Sequence, residues 1–325
     1  MNRLKLLGLP VLATRDDIAI ATHISKRILR DILLRPERFY YRRAIPKKNG
    51  ETRILFIPNP SVKAIQAWIL RMILDNVRPT TYATAYRKGI SIYANVYPHR
   101  NNRYFLIIDI EDFFPSIKKS WVRCLFVQIG YSLEVAEILT QLCTYKGILP
   151  QGGVTSPAIS NLVVARMDRR IAGYCSKKNL RFTRYADDIT ISSNSKTSLN
   201  RAKVIVQKII IDEGYSINQE KLRIVGPSKR CMITGLVKDS GKPEFGIGRK
   251  KVLKMRSIIF NYLVNNKLDS TRYNTVDSLA GWLQYCKSVD PKSYEYLERY
   301  IRRFDKGSVL FSNRRKVDNL DNDGL

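Results

Sequence analysis

The sequence predicts an α+β fold, and three observations carry that prediction. A continuous apolar run of strand length, YFLIIDI (104–110), has the composition of a strand buried on both faces. The string RFTRYADDITIS (181–192) reads as strand, tight turn, strand. Around these lie long stretches with apolar residues at helical spacing, three of them in succession beyond Gly248.

The elements follow in order. Leu6–Ala13, with Arg3 and Lys5 before it, faintly imitates a secretory leader. Its short apolar run, Pro10 and the missing small-residue cleavage site favour a packed N-terminal segment instead. Thr22 or Ser25 can cap a helix with Ile24, Ile28, Leu29, Ile32 and Leu33 at helical spacing. Residues 39–58 are basic and aromatic, and Asn49-Gly50 between extended segments reads as a hairpin. Ser61 is expected to cap a helix through residue 77, with Val62, Ile65, Ile69, Met72 and Ile73 on one face. Helices are expected near 119–129 and 132–144, from Pro157 through residue 174, and over 196–213. Short strands are expected around 215–217, 222–225 and 231–236. After Gly246-Ile247-Gly248 come helices at 250–266, 275–288 and 292–304, with Trp282 and Tyr285 in the core. A polar stretch, 306–325, is expected to fray.

Charge narrows the function. The 325 residues hold 57 Lys+Arg against 28 Asp+Glu, a net charge of +29. The excess is global: 19 basic against 6 acidic in residues 1–102, 20 against 11 in 103–235, and 18 against 11 in 236–325. Such a chain repels itself unless a polyanion is near, and nucleic acid is the expected one. A basic protein without a specific ligand is one alternative. A membrane-surface protein is another, but no terminal amphipathic basic helix stands out. No apolar run approaches the ~18 residues of a membrane span, so no membrane partner is expected. Cys124, Cys143, Cys175, Cys231 and Cys286 form no CxxC pair, and His23 and His99 are too few for a histidine metal site. Zinc knuckles, disulfide frameworks and HNH-type nucleases are thereby disfavoured. An odd number of unpaired cysteines fits a reducing cytosol, hence a cytoplasmic location.

The carboxylates carry the chemistry. Asp109 ends the apolar strand, and Asp187-Asp188 sit at the tight turn. Alone, Asp187-Asp188 is a polar turn, and Asp109 a strand-end acid or helix cap. Together, in a +29 chain, those explanations become poor. Acids converging on one sheet edge repel, and divalent cations relieve that repulsion. Mg²⁺ takes a few carboxylates plus substrate phosphate oxygens, which is the requirement of two-metal phosphoryl transfer.

Tyr185-Ala186-Asp187-Asp188 resembles the YxDD signature of reverse transcriptases. LIIDIEDFFPSI (106–117) resembles their first palm motif, and LPQGGVTSPAISNLV (149–163) their LPQG…SP motif. EGYSINQEKLRIV (213–225) and ITGLVK (233–238) match the two following motifs in order. Within the family the likeness is to bacterial retron enzymes. Asn95…His99 (NVYPH) resembles their NAxxH motif, and Ile233-Thr234-Gly235 their VTG motif. Val96 stands where the first pattern has Ala, and Ile233 where the second has Val. The absence of a Cys/His endonuclease region separates the chain from mobile-intron reverse transcriptases.

The resemblance implies a right-handed polymerase: an α+β fold with fingers, a palm whose antiparallel sheet carries the YADD hairpin, and a helical thumb. Residues 1–102 would be fingers and N-terminal region, 103–235 palm with part of the fingers, and 236–325 thumb and tail. It implies that Asp109, Asp187 and Asp188, with the Ile110 carbonyl, hold two Mg²⁺ ions, Mn²⁺ being a substitute. Tyr185 would support the primer end. Phe114 would be the sugar gate, or else a core aromatic. Gln151 and Gly152 would line the nucleotide pocket, and Arg53, on the hairpin after Lys47-Lys48, would grip the triphosphate, the two lysines being otherwise a solvated turn. Asp112 would be a supporting or backbone-capping acid. Lys250, Lys251, Lys254 and Arg256 would hold the duplex backbone, or else form a solvated helix face. Asn95, His99, Thr234 and Gly235 would be the retron-specific positions.

The implied partners are a structured non-coding RNA serving as template and primer, its single-stranded DNA product (msDNA), and dNTPs. Priming would start from a guanosine 2′-OH of that RNA. A separate effector protein and a role in antiphage defence are implied, and host RNase H would trim the template. The alternatives are a group II intron or abortive-infection reverse transcriptase, or a non-catalytic RNA-binding scaffold or antitoxin.

Overall fold

Residues 40–46 and 52–58 pair antiparallel, β1 (Tyr40–Pro46) with β2 (Thr52–Pro58), running from Tyr40 opposite Pro58 to Pro46 opposite Thr52. The computed structural model describes residues 3–46, 50, 52–239, 244–268 and 273–304. Lys47, Lys48 and Asn49, and the stretch expected to fray, therefore lie outside the described residues. The chain divides into two units, Met1–Gly89 with Leu106–Ile224, and Ile90–Phe105 with Val225–Leu325.

The apolar run, in the first unit from Leu106 onward, forms β3 (Tyr104–Asp109), buried from Phe105 onward. It lies inside a four-stranded sheet with β4 (Arg181–Tyr185), β5 (Asp188–Ser193) and β6 (Arg223–Val225), in the order β4-β5-β3-β6. Two helices cover the hairpin strands: Ala165–Lys177 packs on β4 and Lys196–Asp212 on β5. Their buried residues, Met167, Ile171 and Cys175 on one and Leu199, Val206 and Ile210 on the other, recur at helical spacing. The helices Lys119–Ile129 and Leu133–Cys143 stand where the periodicity places them. A mixed helix-and-sheet fold with the YADD string on an antiparallel hairpin is thus as expected.

Several local expectations change: the helix expected through residue 77 ends at Met72, and the strand expected at 231–236 is a hairpin turning at Thr234-Gly235. The helix Pro60–Met72 is capped by Asn59, whose side chain accepts from the Val62 N–H at 3.0 Å. Pro60 takes the first helical position, where no amide hydrogen is needed, and so moves the cap away from Ser61. Ser25 does cap the helix Lys26–Leu34. The helix expected from Pro157 is divided at Val164 into Ser156–Val163 and Ala165–Lys177. The strand expected at 215–217 is a single antiparallel bridge between Ile217 and Ile110. The chain leaves its helix through Gly214 at φ +85° and turns again at Asn218, whose side chain accepts from the Lys221 N–H. Too few residues remain between those turns for a ladder.

The second unit carries the hairpin β7 (Cys231–Ile233) and β8 (Leu236–Lys238) and the helices Arg249–Asn265, Val276–Val289 and Pro291–Ile301. Met255, Ile259, Leu283, Cys286, Leu297 and Ile301 are buried, as is Trp282, while Tyr285 is half-buried. Asp290 caps the last helix and also accepts from the Ile247 N–H at 2.9 Å. Among the described residues no helix is long and apolar enough to cross a membrane.

Candidate active site

The register of the YADD hairpin sets the geometry. Tyr185 pairs with Asp188, leaving Ala186 and Asp187 as a two-residue loop. Ala186 sits at φ +57°, a conformation that costs a residue with a β-carbon about 1–2 kcal/mol. The loop is docked on the end of β3: the Ile110 N–H donates to the Asp187 carbonyl at 3.1 Å. On the other side of β3, the Asn218 N–H donates to the Asp109 carbonyl at 2.9 Å and the Glu111 N–H to the Ser216 carbonyl at 2.9 Å. Backbone hydrogen bonds alone thus bring the end of β3 and the loop together.

Electrostatics confirm the crowding. Asp109 is 6% exposed, and Asp187 and Asp188 are half-buried. Burial, and after it the neighbouring carboxylates, raise Asp187 above the ordinary range and push Asp188 up to about 6. Lys221 answers this charge most directly, with Arg53 acting on Asp187 and Arg223 on Asp188. The Lys221 ammonium donates to Asp109 Oδ1 at 2.8 Å, and that bond with the nearby acids raises its own pKa. Among the described residues, no three His, Cys, Asp or Glu side chains are spaced to grip a metal ion. The donor chemistry nevertheless fits a hard divalent cation: carboxylate oxygens with excess negative charge, and an ammonium drawn against one of them.

A cleft of about 860 Å³ opens beside these acids, lined by Arg53, Tyr86, Asp109, Phe114, Gln151 and Asp187, with Ile110 also on its wall. Gly152 and the hairpin's Tyr185 and Asp188 are joined to it through the backbone. The Phe56 N–H donates to the Gln151 carbonyl at 3.0 Å, docking the Gln151-Gly152 loop on β2. Gly152 lies at φ +124°, and a β-carbon there would stand 3.0 Å from the Phe56 carbonyl oxygen, so this close approach requires glycine. Asp112 is exposed at φ +42° and heads the short helix Phe113–Ser116 without a side-chain capping bond. Its carbonyl, not its carboxylate, accepts from the Ser116 N–H.

Several residues that hold this site were not singled out in the sequence. Arg184, fully buried on β4, makes a two-pronged ion pair with buried Asp168 at 2.7 and 2.8 Å. It also donates to Asn161 Oδ1 at 3.2 Å and to the Ala186 carbonyl at 3.0 Å, so it props the strained loop from behind. Gln66, fully buried, accepts from the Val154 N–H at 2.9 Å and donates to the Leu142 carbonyl at 2.8 Å and Tyr40 Oη at 3.0 Å. It ties β1 to the loop that follows Gln151. Lys221 and Tyr86 complete the set. A basic residue inside a buried strand, and a glutamine on the apolar face of a helix, are the signals that could have found the first two.

In the second unit the two motifs at Asn95–His99 and Ile233–Gly235 meet. Asn95 and His99 are buried, and Asn95 Nδ2 donates to Thr234 Oγ1 at 3.4 Å. Thr234 and Gly235, at φ +47° and +82°, form the two-residue loop between β7 and β8. Lys250, Lys251 and Lys254 are exposed on the helix Arg249–Asn265, Lys251 lying 5.7 Å from the centre of the Tyr285 ring.

Comparison with known proteins agrees with this geometry. The reverse transcriptase (RNA-dependent DNA polymerase) family model matches residues 45–243. The chain is 37% identical to the retron Ec86 reverse transcriptase of Escherichia coli, over 94% of this chain and 93% of that protein. It is 32% identical to the retron Mx65 reverse transcriptase of Myxococcus xanthus, over 93% of this chain and 74% of that one. Among solved structures, telomerase from Candida albicans has the same fold, with a TM-score of 0.51 and 12% identity over 80% of this chain and 56% of the telomerase chain. Reverse transcriptases work with divalent metal ions, in keeping with the oxygen donors at the hairpin. The chain belongs to the retron reverse transcriptases, RNA-directed DNA polymerases.

Proposed function

We propose that this polymerase copies part of a structured non-coding RNA into a short single-stranded DNA, msDNA, starting from a 2′-hydroxyl of that RNA. The observation that carries the reading is one cleft lined by Asp109, Asp187, Arg53, Phe114 and Gln151 beside the YADD hairpin. Asp109, Asp187 and Asp188, with the Ile110 carbonyl, would hold two Mg²⁺ ions, or Mn²⁺ in their place. Such ions activate the primer hydroxyl and stabilise the leaving pyrophosphate. Arg53 offers a planar, two-pronged grip on the triphosphate. Gln151 and Gly152 form the floor under the nucleotide, Phe114 stands against the 2′ position of its sugar, and Tyr185 supports the primer end.

In this reading residues 1–102 are the fingers and N-terminal region, 103–235 the palm with part of the fingers, and 236–325 the thumb and tail. Lys250, Lys251 and Lys254 hold phosphates of the RNA–DNA duplex, contacts that position without reading sequence. Asn95, His99, Thr234 and Gly235 shape the retron-specific part that meets the RNA. The reading includes a separate effector protein, template trimming by host RNase H, a cytoplasmic location and a role in antiphage defence, and kinship with retron enzymes supports these.

Purified chain with Mg²⁺, its cognate RNA and dNTPs is expected to make DNA covalently joined to RNA. Asp187→Asn with Asp188→Asn is expected to abolish synthesis, a loss of at least about 10⁴-fold if the metal-held step is removed. Undiminished synthesis by the double variant would sink the assignment. DNA free of RNA after RNase treatment would point to another reverse transcriptase lineage.

A further inference from the structure

Tyr86 has no role in the reading above, yet the fold places it with unusual insistence. It is a bulky residue at φ +58°, where a side chain of this size is an outlier. The segment around it is pinned from several directions. The Arg184 N–H donates to the Tyr82 carbonyl at 2.8 Å, and the Thr84 N–H donates to the Arg184 carbonyl at 2.9 Å. Asn161 Nδ2 donates to the Ala85 carbonyl at 2.8 Å, and the Arg87 guanidinium donates to the Ala83 carbonyl at 3.1 Å. Backbone strain of this kind persists only where the surroundings over-determine it, and it gathers at functional sites.

The direction of the ring gives the strain a purpose. Tyr86 lines the cleft that also contains Arg53, Asp109, Phe114, Gln151 and Asp187. Its ring leans on that of Phe114, with centroids 6.2 Å apart and planes tilted by 48°. At 47% exposure it is not a core aromatic; it is open to whatever enters the cleft. Phe114 is half-buried, and the Tyr86 ring is its neighbour on the cleft wall. The two form one aromatic wall.

We propose that Tyr86 is a specificity-determining residue for the incoming nucleotide: with Phe114 it forms the wall beside the sugar and sets the room that a 2′-hydroxyl finds. The proposal rests on the polymerase reading of the cleft. In an apolar pocket a misfit the size of a single methylene already changes discrimination by about 10–200-fold.

The experiment measures kcat/KM for a deoxynucleoside and a ribonucleoside triphosphate of the same base, with the full chain, its primed RNA and Mg²⁺. Tyr86→Gly removes the ring while suiting the positive φ, so its Tm is expected to match or exceed wild type. Its preference for the deoxynucleotide should fall at least about tenfold. Tyr86→Phe should keep that preference within about twofold, because the ring is retained. Tyr86→Asn, also tolerant of this backbone, should behave as Tyr86→Gly does. A preference unchanged in both Tyr86→Gly and Tyr86→Asn, with DNA synthesis intact or lowered for both nucleotides alike, would overturn the proposal while leaving the polymerase reading standing. A wild-type chain that incorporates neither nucleotide would overturn that reading and this proposal with it.

Discussion

Two cation–carboxylate pairs flank the YADD hairpin, and they are built in opposite ways. Behind the loop, Arg184 and Asp168 are both 0% exposed and meet through two short bonds. Asp168 also accepts from Thr80 Oγ1 at 2.6 Å, and Arg184 has further acceptors in Asn161 and Ala186. Beside the loop, Lys221 touches Asp109 through one contact at 2.8 Å, with the lysine side chain 57% exposed and the carboxylate 8%. A guanidinium fork in a dry site has fixed geometry, whereas an ammonium on a flexible stem is a point charge that can leave. Charge is therefore fixed where the loop needs support and exchangeable where, in the proposed function, a cation and a phosphate are admitted.

The largest expected effect tests the fixed pair. Arg184→Met leaves Asp168 buried without its charge partner and should cost about 3–5 kcal/mol in denaturant unfolding. Replacing both, Arg184→Met with Asp168→Leu, should recover most of that loss, since no charge is then stranded. DNA synthesis should stay low in the double variant even where it is folded, because the Ala186 carbonyl and the segment at 80–85 have lost their common anchor. An Arg184→Met cost below about 1 kcal/mol, the size of a surface pair, would erase the contrast.

The next effect comes from the acids themselves. Asp188 is pushed up to about 6 by burial and by Asp187 and Asp109, while an unfolded aspartate titrates near 3.9. The folded chain thus binds the proton more tightly than the unfolded one. Between about pH 4 and 6 stability falls as pH rises, and it stays at the lower level above that window. Asp188→Asn should therefore raise the stability of the metal-free protein at pH 7 by on the order of 1–3 kcal/mol, with the gain shrinking towards pH 4. Mg²⁺ should raise the Tm of wild type more than that of the variant. A metal-free Asp188→Asn no more stable than wild type at pH 7 would mean that Lys221, Arg53 and Arg223 compensate the acids better than the raised pKa implies.

The sequence was legible where one local signal decides the structure. β3 and the hairpin show because an apolar run and a strand–turn–strand string each carry acids that a buried sheet does not tolerate without cause. The helices at 119–129 and 133–143 show because their apolar spacing is regular. The cap of the helix Pro60–Met72 was misplaced because the fixed φ of Pro60 outweighs the general liking of serine for that position. The meeting of Arg53 with Gln151 around one cleft was implied by resemblance, since no periodicity brings together residues that far apart. Arg184 and Gln66 stayed hidden because each acts on partners from separate segments, Asp168 and Asn161 for one, Leu142 and Val154 for the other. Tyr86 was invisible for another reason: a positive φ forced on a tyrosine by tertiary bonds has no sequence signature.

The smallest expected effect tests the exchangeable pair, and it sharpens the contrast most. Lys221→Ala should change stability by less than about 1 kcal/mol, because the ammonium is largely solvated and its pairing is screened. Its loss nonetheless leaves Asp109 without the ammonium paired with it, so repulsion among the acids rises and the attraction for a divalent ion rises with it. The Tm gain on adding Mg²⁺ should be larger in Lys221→Ala than in wild type, and it should approach the wild-type value in Lys221→Arg. Equal gains in all three proteins would mean that Lys221 does not compete for the place a metal takes. The two pairs would then differ in exposure alone, and exchangeability at the front of the hairpin would need another carrier.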